Sequence, residues 1–270
     1  MKYQIRELSL GGILDQAITL TKNHFGQFLP LTSLALVTNG GMVLIEATAR
    51  HELIPMPPPF PPMLQPVYEP WQNIAILVLL FMTAVLAPLT NAAIVNGIAQ
   101  TYLGRPITFG DAMGRAVKSI LPLLGTWILL FLAIWLGTLA CIVPGILFMF
   151  WYALATQVVV LEKISGTKAM SRSKELMKDN YGTFFVLGFI VGILGIGLHV
   201  GAGFIPQPYV KTLASVVVQA VVTIISSSAM VVFYFSCRCK HEAFDLQLLA
   251  EAVGSDPIED AFEIDDDPNS

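Results

Sequence analysis

A chain of 270 residues that is 55% hydrophobic and only 13% charged cannot hide its apolar surface in a water-soluble core. Its mean hydropathy of +0.69 excludes an ordinary globular domain and requires a bilayer as solvent. The net charge of −4 is concentrated at one place: residues 251–270 hold eight acids and no lysine or arginine, which leaves eleven acids against fifteen bases elsewhere.

The first segment already carries the architecture. Ser9–Leu31 aligns without a gap to Ser165–Leu187, with identities at Ser9/Ser165, Leu20/Leu176, Lys22/Lys178, Gly26/Gly182, Phe28/Phe184 and Leu31/Leu187. Thr108–Leu129 is a looser third copy. Each copy is an amphipathic stretch running into a long apolar one. The repeat therefore implies an all-α, polytopic membrane protein with six transmembrane helices, arranged as three repeats of an interfacial helix plus a helical pair. The interfacial helices are expected at about 8–25, 108–119 and 165–180. Their apolar positions, Leu10, Ile13, Leu14, Ala17, Ile18 and Leu20 in the first copy, should rest on the membrane. Lys22, Arg115, Lys118, Lys168, Arg172 and Lys178 are the candidate contacts to lipid head groups. Gly26 and Gly182 mark the expected bends into the spanning helices.

The spans are expected at about 28–49, 74–102, 121–142, 145–161, 182–205 and 213–237, within an integral membrane domain covering residues 1–250. Pro88 should kink the second. Val143-Pro144-Gly145 should form the hairpin between the third and fourth. The loop Arg50–Gln72 holds eight prolines, Pro55 and Pro70 being the first and last, so polyproline II without hydrogen-bonded structure is expected there. Gly188, Gly192, Gly197 and Gly201 allow close helix approach in the fifth span. Residues 251–270 should be a disordered acidic cytoplasmic tail.

Basic residues set the orientation. With six spans, thirteen of the fifteen fall on one side and only Arg50 and Lys211 on the other. The expectation is a multi-pass protein of the cell inner (cytoplasmic) membrane with both termini in the cytoplasm. No cleavable signal peptide is expected ahead of the first span.

Asn39, Asn91, Asn96, Gln100, Gln157, His199 and Gln219 fall within or near apolar spans, and Glu46 and Glu162 near span ends. Intramembrane polar groups either fix helix packing or line a watery path. The candidate path is Asn91, Asn96, Gln157 and Gln219. Cys237-x-Cys239-x-His241 lacks the second ligand pair of a closed zinc site. No Gly-x-Ser-x-Gly, Walker, His-Glu-x-x-His or Rossmann pattern is present. No catalytic residue, metal or cofactor is expected.

The sixth span closes with Tyr234, Arg238, Glu242, Asp245 and Leu246. Together with Ile142-Val143-Pro144-Gly145, Val158–Glu162 and Ala169-x-x-Arg172-Ser173 followed by Leu176, this resembles the membrane-domain family named after bacterial glycerophosphodiester phosphodiesterases. The likeness covers most of residues 9–250 as scattered short motifs. Ser236 departs from it where relatives often carry an acid. The resemblance implies a stand-alone membrane domain without the soluble hydrolytic barrel of the fused relatives. Arg238 and Glu242, four apart, are expected to be an exposed pair worth about 0.3–0.5 kcal/mol. The function expected is non-enzymatic: a membrane-organising or accessory component touching lipid head groups. The alternative is a transporter or lipid-handling protein with a path between helix pairs. Membrane lipids are the expected partners, a membrane protein is a second class, and nucleic acid is not expected.

Overall fold

The computed structural model describes residues 5–33, 40, 41, 45, 50–54, 63–105 and 108–246. In chain order these form α1 (Leu10–Phe28), a 3-10 turn (Leu29–Thr32), β1 (Arg50–Ile54), β2 (Met63–Val67), α2 (Pro70–Tyr102), α3 (Phe109–Ala140), α4 (Ile142–Trp151), α5 (Ala155–Glu162), α6 (Gly166–Met177), α7 (Tyr181–Gly203) and α8 (Pro208–Glu242). Five segments are long and apolar enough to cross a membrane: Pro70–Tyr102, Phe109–Leu139, Ile142–Glu162, Tyr181–Gly203 and Leu213–Glu242. The first predicted span lies mostly outside the described residues, as do Asn39, Glu46 and the tail 251–270. Outward-facing apolar side chains such as Phe81, Leu121, Leu139 and Phe204 are exposed, which is compatible with a surface solvated by a bilayer.

The core gathers at one end of the bundle. The C-terminal half of α8 buries Val231, Val232, Phe233, Tyr234 and Phe235, and α1 packs along it with Ile13, Ala17 and Leu20. The Leu8 N–H donates to Ser236 Oγ at 2.9 Å, so the start of α1 and the end of α8 meet. Thr21 Oγ1 donates to Ser228 Oγ at 3.0 Å a few turns away. The apolar stripe of α1 therefore faces protein rather than lipid, unlike the expectation for an interfacial helix. Ile18 alone of that stripe is strongly exposed. Sequence pattern shows that a stripe must be covered, not what covers it.

The three amphipathic stretches begin alike. Ser9, Thr108 and Ser165 are the extended N-cap residues of α1, α3 and α6. Four and eight positions on, Ile13/Ala112/Ala169 and Ala17/Ala116/Ser173 are all buried. The exits differ. In α1 the backbone leaves helical values at His24 (φ −126°, ψ 18°). The corresponding Asn180 (φ −119°, ψ 5°) ends the break between α6 and α7. Asp179 beside it sits at φ 64°, so the turn is made there and not at the predicted Gly182, which is helical. Asparagine and aspartate tolerate this region and supply local hydrogen bonds. Asn180 Nδ2 donates to the Leu176 and Lys178 carbonyls at 3.1 Å each. The middle copy has Leu121-Pro122-Leu123 at these positions, with no such side chains. There the predicted interfacial helix 108–119 and span 121–142 run together as the single helix α3.

Other boundaries shift for equally local reasons. The third and fourth predicted spans are separated at Cys141, which is extended (φ −171°, ψ 149°), and Val143-Pro144-Gly145 lie in the first turn of α4. A proline is tolerated there because first-turn N–H groups have no intrahelical partner. Pro88 lies inside α2 without ending it. The proline-rich loop is not wholly free of hydrogen-bonded structure: β1 and β2 pair antiparallel, with His51 opposite Pro66. A two-stranded ribbon is all edge, so it can seat a residue lacking an N–H. Pro55–Pro62 lie outside the described residues.

Glycine contacts also fall elsewhere than predicted. A Cβ at Gly188, Gly192, Gly197 or Gly201 would meet nothing within 4 Å. Close approach occurs in the α3–α4 hairpin. There a Cβ on Gly145 would collide with Thr138, and one on Gly137 would lie 2.8 Å from the Phe148 ring.

Candidate functional site: a basic cavity beside a closed charge cluster

At the end of the bundle where Leu8 meets Ser236, five residues distant in sequence form one charge cluster. Arg172 of α6 is its hub. Its Nε donates to Glu162 Oε2 at 3.1 Å, its Nη1 to Glu175 Oε2 at 3.1 Å, and its Nη2 pairs with Glu242 Oε1. Glu242 also accepts from Arg238 Nε at 2.9 Å. Tyr234 OH donates to Glu162 Oε1 at 2.8 Å. The side chains of Glu162, Arg172, Arg238 and Glu242 are only 12–21% exposed, so the Arg238–Glu242 pair is no isolated surface pair. Burial works against the Arg172 charge, but Glu162 and Glu175 outweigh it and hold the guanidinium above its ordinary pKa. Arg238 also lies 4.1 Å from the centre of the Phe244 ring. The groups satisfy one another. Chemically this is a latch tying the end of α5 to α6 and α8.

Beside it lies a cavity of about 570 Å³ lined by residues of a different character. Arg115, Lys118, Ser119 and Pro122 project from one face of α3, three or four positions apart. Asn96 and Gln100, one turn apart on α2, form a second wall, with Arg105 just beyond that helix. Val159, Val160, Leu161 and Lys163 close it from α5. Among the described residues, four cations line this space and no acid does. Gly104 (φ 74°) and Lys163 (φ 59°) turn the chain out of α2 and α5, placing Arg105 and Lys163 at helix C-termini whose dipoles favour cations. The acid nearest Arg115 along α3, Asp111, is engaged by Thr108 Oγ1 at 2.7 Å. Asn96 is 5% exposed, and its Nδ2 donates to the Ala92 carbonyl at 3.0 Å.

A second space, an apolar cleft of about 690 Å³, opens between α4, α7 and α8. Gly188, Gly192 and Gly195 form part of its floor, opposite Met149, Val222 and Met230. His199 reaches it with Nδ1 2.9 Å from the Gly195 carbonyl of its own helix.

The sequence-derived candidates distribute unevenly over these sites. Of Asn91, Asn96, Gln157 and Gln219, only Asn96 lines the basic cavity or the cleft. Gln219 donates within its own helix to Thr223 at 3.3 Å. Asn91 Oδ1 and Gln157 Oε1 are buried without a hydrogen-bond partner among the described residues. Of the head-group candidates, Arg115 and Lys118 meet in the basic cavity, while Arg172 is taken up by the charge cluster. Lys22, Lys168 and Lys178 are exposed elsewhere. Arg105 and Lys163 complete the cavity and were not singled out by sequence. Their signal was position, each just past the end of an apolar stretch. Among the described residues, no group of three or more His, Cys, Asp or Glu is placed to hold a metal ion.

A family described as a domain of unknown function (DUF8558) matches residues 133–260, under half of the chain. The matched part begins within α3 and contains every residue of the charge cluster, together with Lys163 of the cavity. No curated protein and no solved structure matches the chain.

Proposed function

We propose that the chain is a non-enzymatic, multi-pass component of the cytoplasmic membrane that engages anionic lipid head groups through the basic cavity. One observation carries this reading: among the described residues, four cations and no acid surround a space walled on one side by Val159, Val160 and Leu161. Such a basic pocket between spanning helices suits a phosphate with an acyl chain below it. The meeting of Leu8 with Ser236 supports both chain ends lying on that side. Arg238 and Lys211 are 27 residues apart on α8, about 40 Å, which separates the basic end from the other by more than the hydrocarbon core. On this reading the first predicted span completes six, and the three like-capped helices each open one of three modules. The mutual pairing of Arg172, Glu162, Arg238 and Glu242 supports a structural rather than catalytic role for the motifs resembling the phosphodiesterase membrane domain.

The test is to extract the protein in polymer discs with its native lipids and quantify them by mass spectrometry. The wild-type chain should carry anionic phospholipid several-fold above the bulk membrane. A variant with Arg105, Arg115, Lys118 and Lys163 changed to Gln should carry the bulk composition. Equal enrichment in both would refute the reading. The apolar cleft favours a second reading, lipid handling or transport, which predicts a single enriched hydrophobic solute that the cavity variant retains.

A further inference from the structure

The charge count of the cavity says more than that it attracts anions. Arg105, Arg115, Lys118 and Lys163 converge from three elements on a space of about 570 Å³ that no carboxylate lines among the described residues. A single negative charge would leave most of their mutual repulsion in place. Two of the four are arginines, whose planar guanidinium groups each present a fork of donors matched to phosphate oxygens. Lys118 and Lys163 add mobile point charges from α3 and from the end of α5. Gln100, Ser119 and the 5%-exposed Asn96 are neutral polar groups in the same lining. The cations thus sit on three elements, two of them on α3, around a volume larger than one phosphate.

We infer that this cavity takes a ligand bearing two phosphate groups, one held from the α3 side and one from the α2–α5 side. A diphosphatidyl lipid and a soluble diphosphate share this chemistry. The inference rests on the anion-binding reading above and specifies its ligand. Holding both phosphates at once makes the second contact intramolecular, so affinity should rise steeply over a one-phosphate ligand of equal total charge.

The test uses the full chain in phosphatidylcholine discs and reads the acetylation rates of Lys118 and Lys163 by mass spectrometry. Discs are doped with cardiolipin, or with phosphatidylglycerol at the same total charge, and undoped discs receive inorganic pyrophosphate or orthophosphate. Cardiolipin should slow acetylation of both lysines at least about tenfold more than phosphatidylglycerol does. The difference should vanish in R105Q/R115Q, while Lys22 and Lys168 respond alike to both lipids. Protection by pyrophosphate but not orthophosphate, with the two lipids equal, would support the two-phosphate ligand while removing the lipid reading. Equal protection by both lipids without a pyrophosphate effect would overturn the inference and leave the head-group reading standing. No protection by any anion would overturn both.

Discussion

Changing Arg172 to Met should destabilise the protein by about 3 kcal/mol, the scale for breaking a largely buried ion pair from one side. The guanidinium touches Glu162, Glu175 and Glu242 together. Its removal leaves Glu162 with the Tyr234 hydroxyl and takes from Glu242 one of its cations, Arg238 remaining as another. The loss is a desolvation cost more than a lost attraction, so neutralising the stranded acid should recover part of it. R172M/E162Q should therefore be more stable than R172M. Tyr234→Phe should cost only about 1 kcal/mol, one net hydrogen bond. Reversible unfolding in mixed detergent measures all four proteins. A loss under about 0.5 kcal/mol for R172M would mean that the cluster is as weak as a surface pair.

Gly145→Ala should destabilise by about 1–3 kcal/mol through overpacking. The new Cβ would meet the Thr138 side chain and sit 3.0 Å from Thr138 Cα, and backbone in a helix cannot yield as a side chain tip can. Gly192→Ala is the control. It lies in a helix with nothing within 4 Å, so alanine should be neutral or stabilise by up to about 1 kcal/mol. The same unfolding assay reads both. Equal effects at the two positions would contradict the close α3–α4 packing.

What the sequence made legible was whatever periodicity and composition govern. The apolar lengths of α2, α3, α7 and α8 and the alignment of Ser9, Thr108 and Ser165 needed no coordinates. Where short polar groups set the backbone, the glycine-based expectation failed: Asp179 and Asn180 make the turn before α7, and Gly182 continues a helix. Arg238 and Glu242 were recognisable as an i,i+4 pair, yet its burial depends on Arg172 and Glu162, which lie on other helices. Local spacing carries no information about that. The cavity shows the same limit. Arg115 and Lys118 were legible as one basic face, whereas their meeting with Arg105 and Lys163 is a product of how α2, α3 and α5 pack. The charge cluster falls within residues 133–260, and Arg105, Arg115 and Lys118 fall outside them.

The most direct test of the central claim is a magnetic-resonance distance measurement between lipid phosphorus and lysine Nζ. The protein, with 15N-labelled lysines, is reconstituted in bilayers containing anionic phospholipid, and 31P–15N dipolar dephasing is recorded. The account predicts strong dephasing at Lys118 and Lys163, lost in R105Q/R115Q, with weaker dephasing at Lys22 and Lys168. Absent dephasing at Lys118 and Lys163, or equal dephasing at every exposed lysine, would contradict a lipid phosphate held in the cavity.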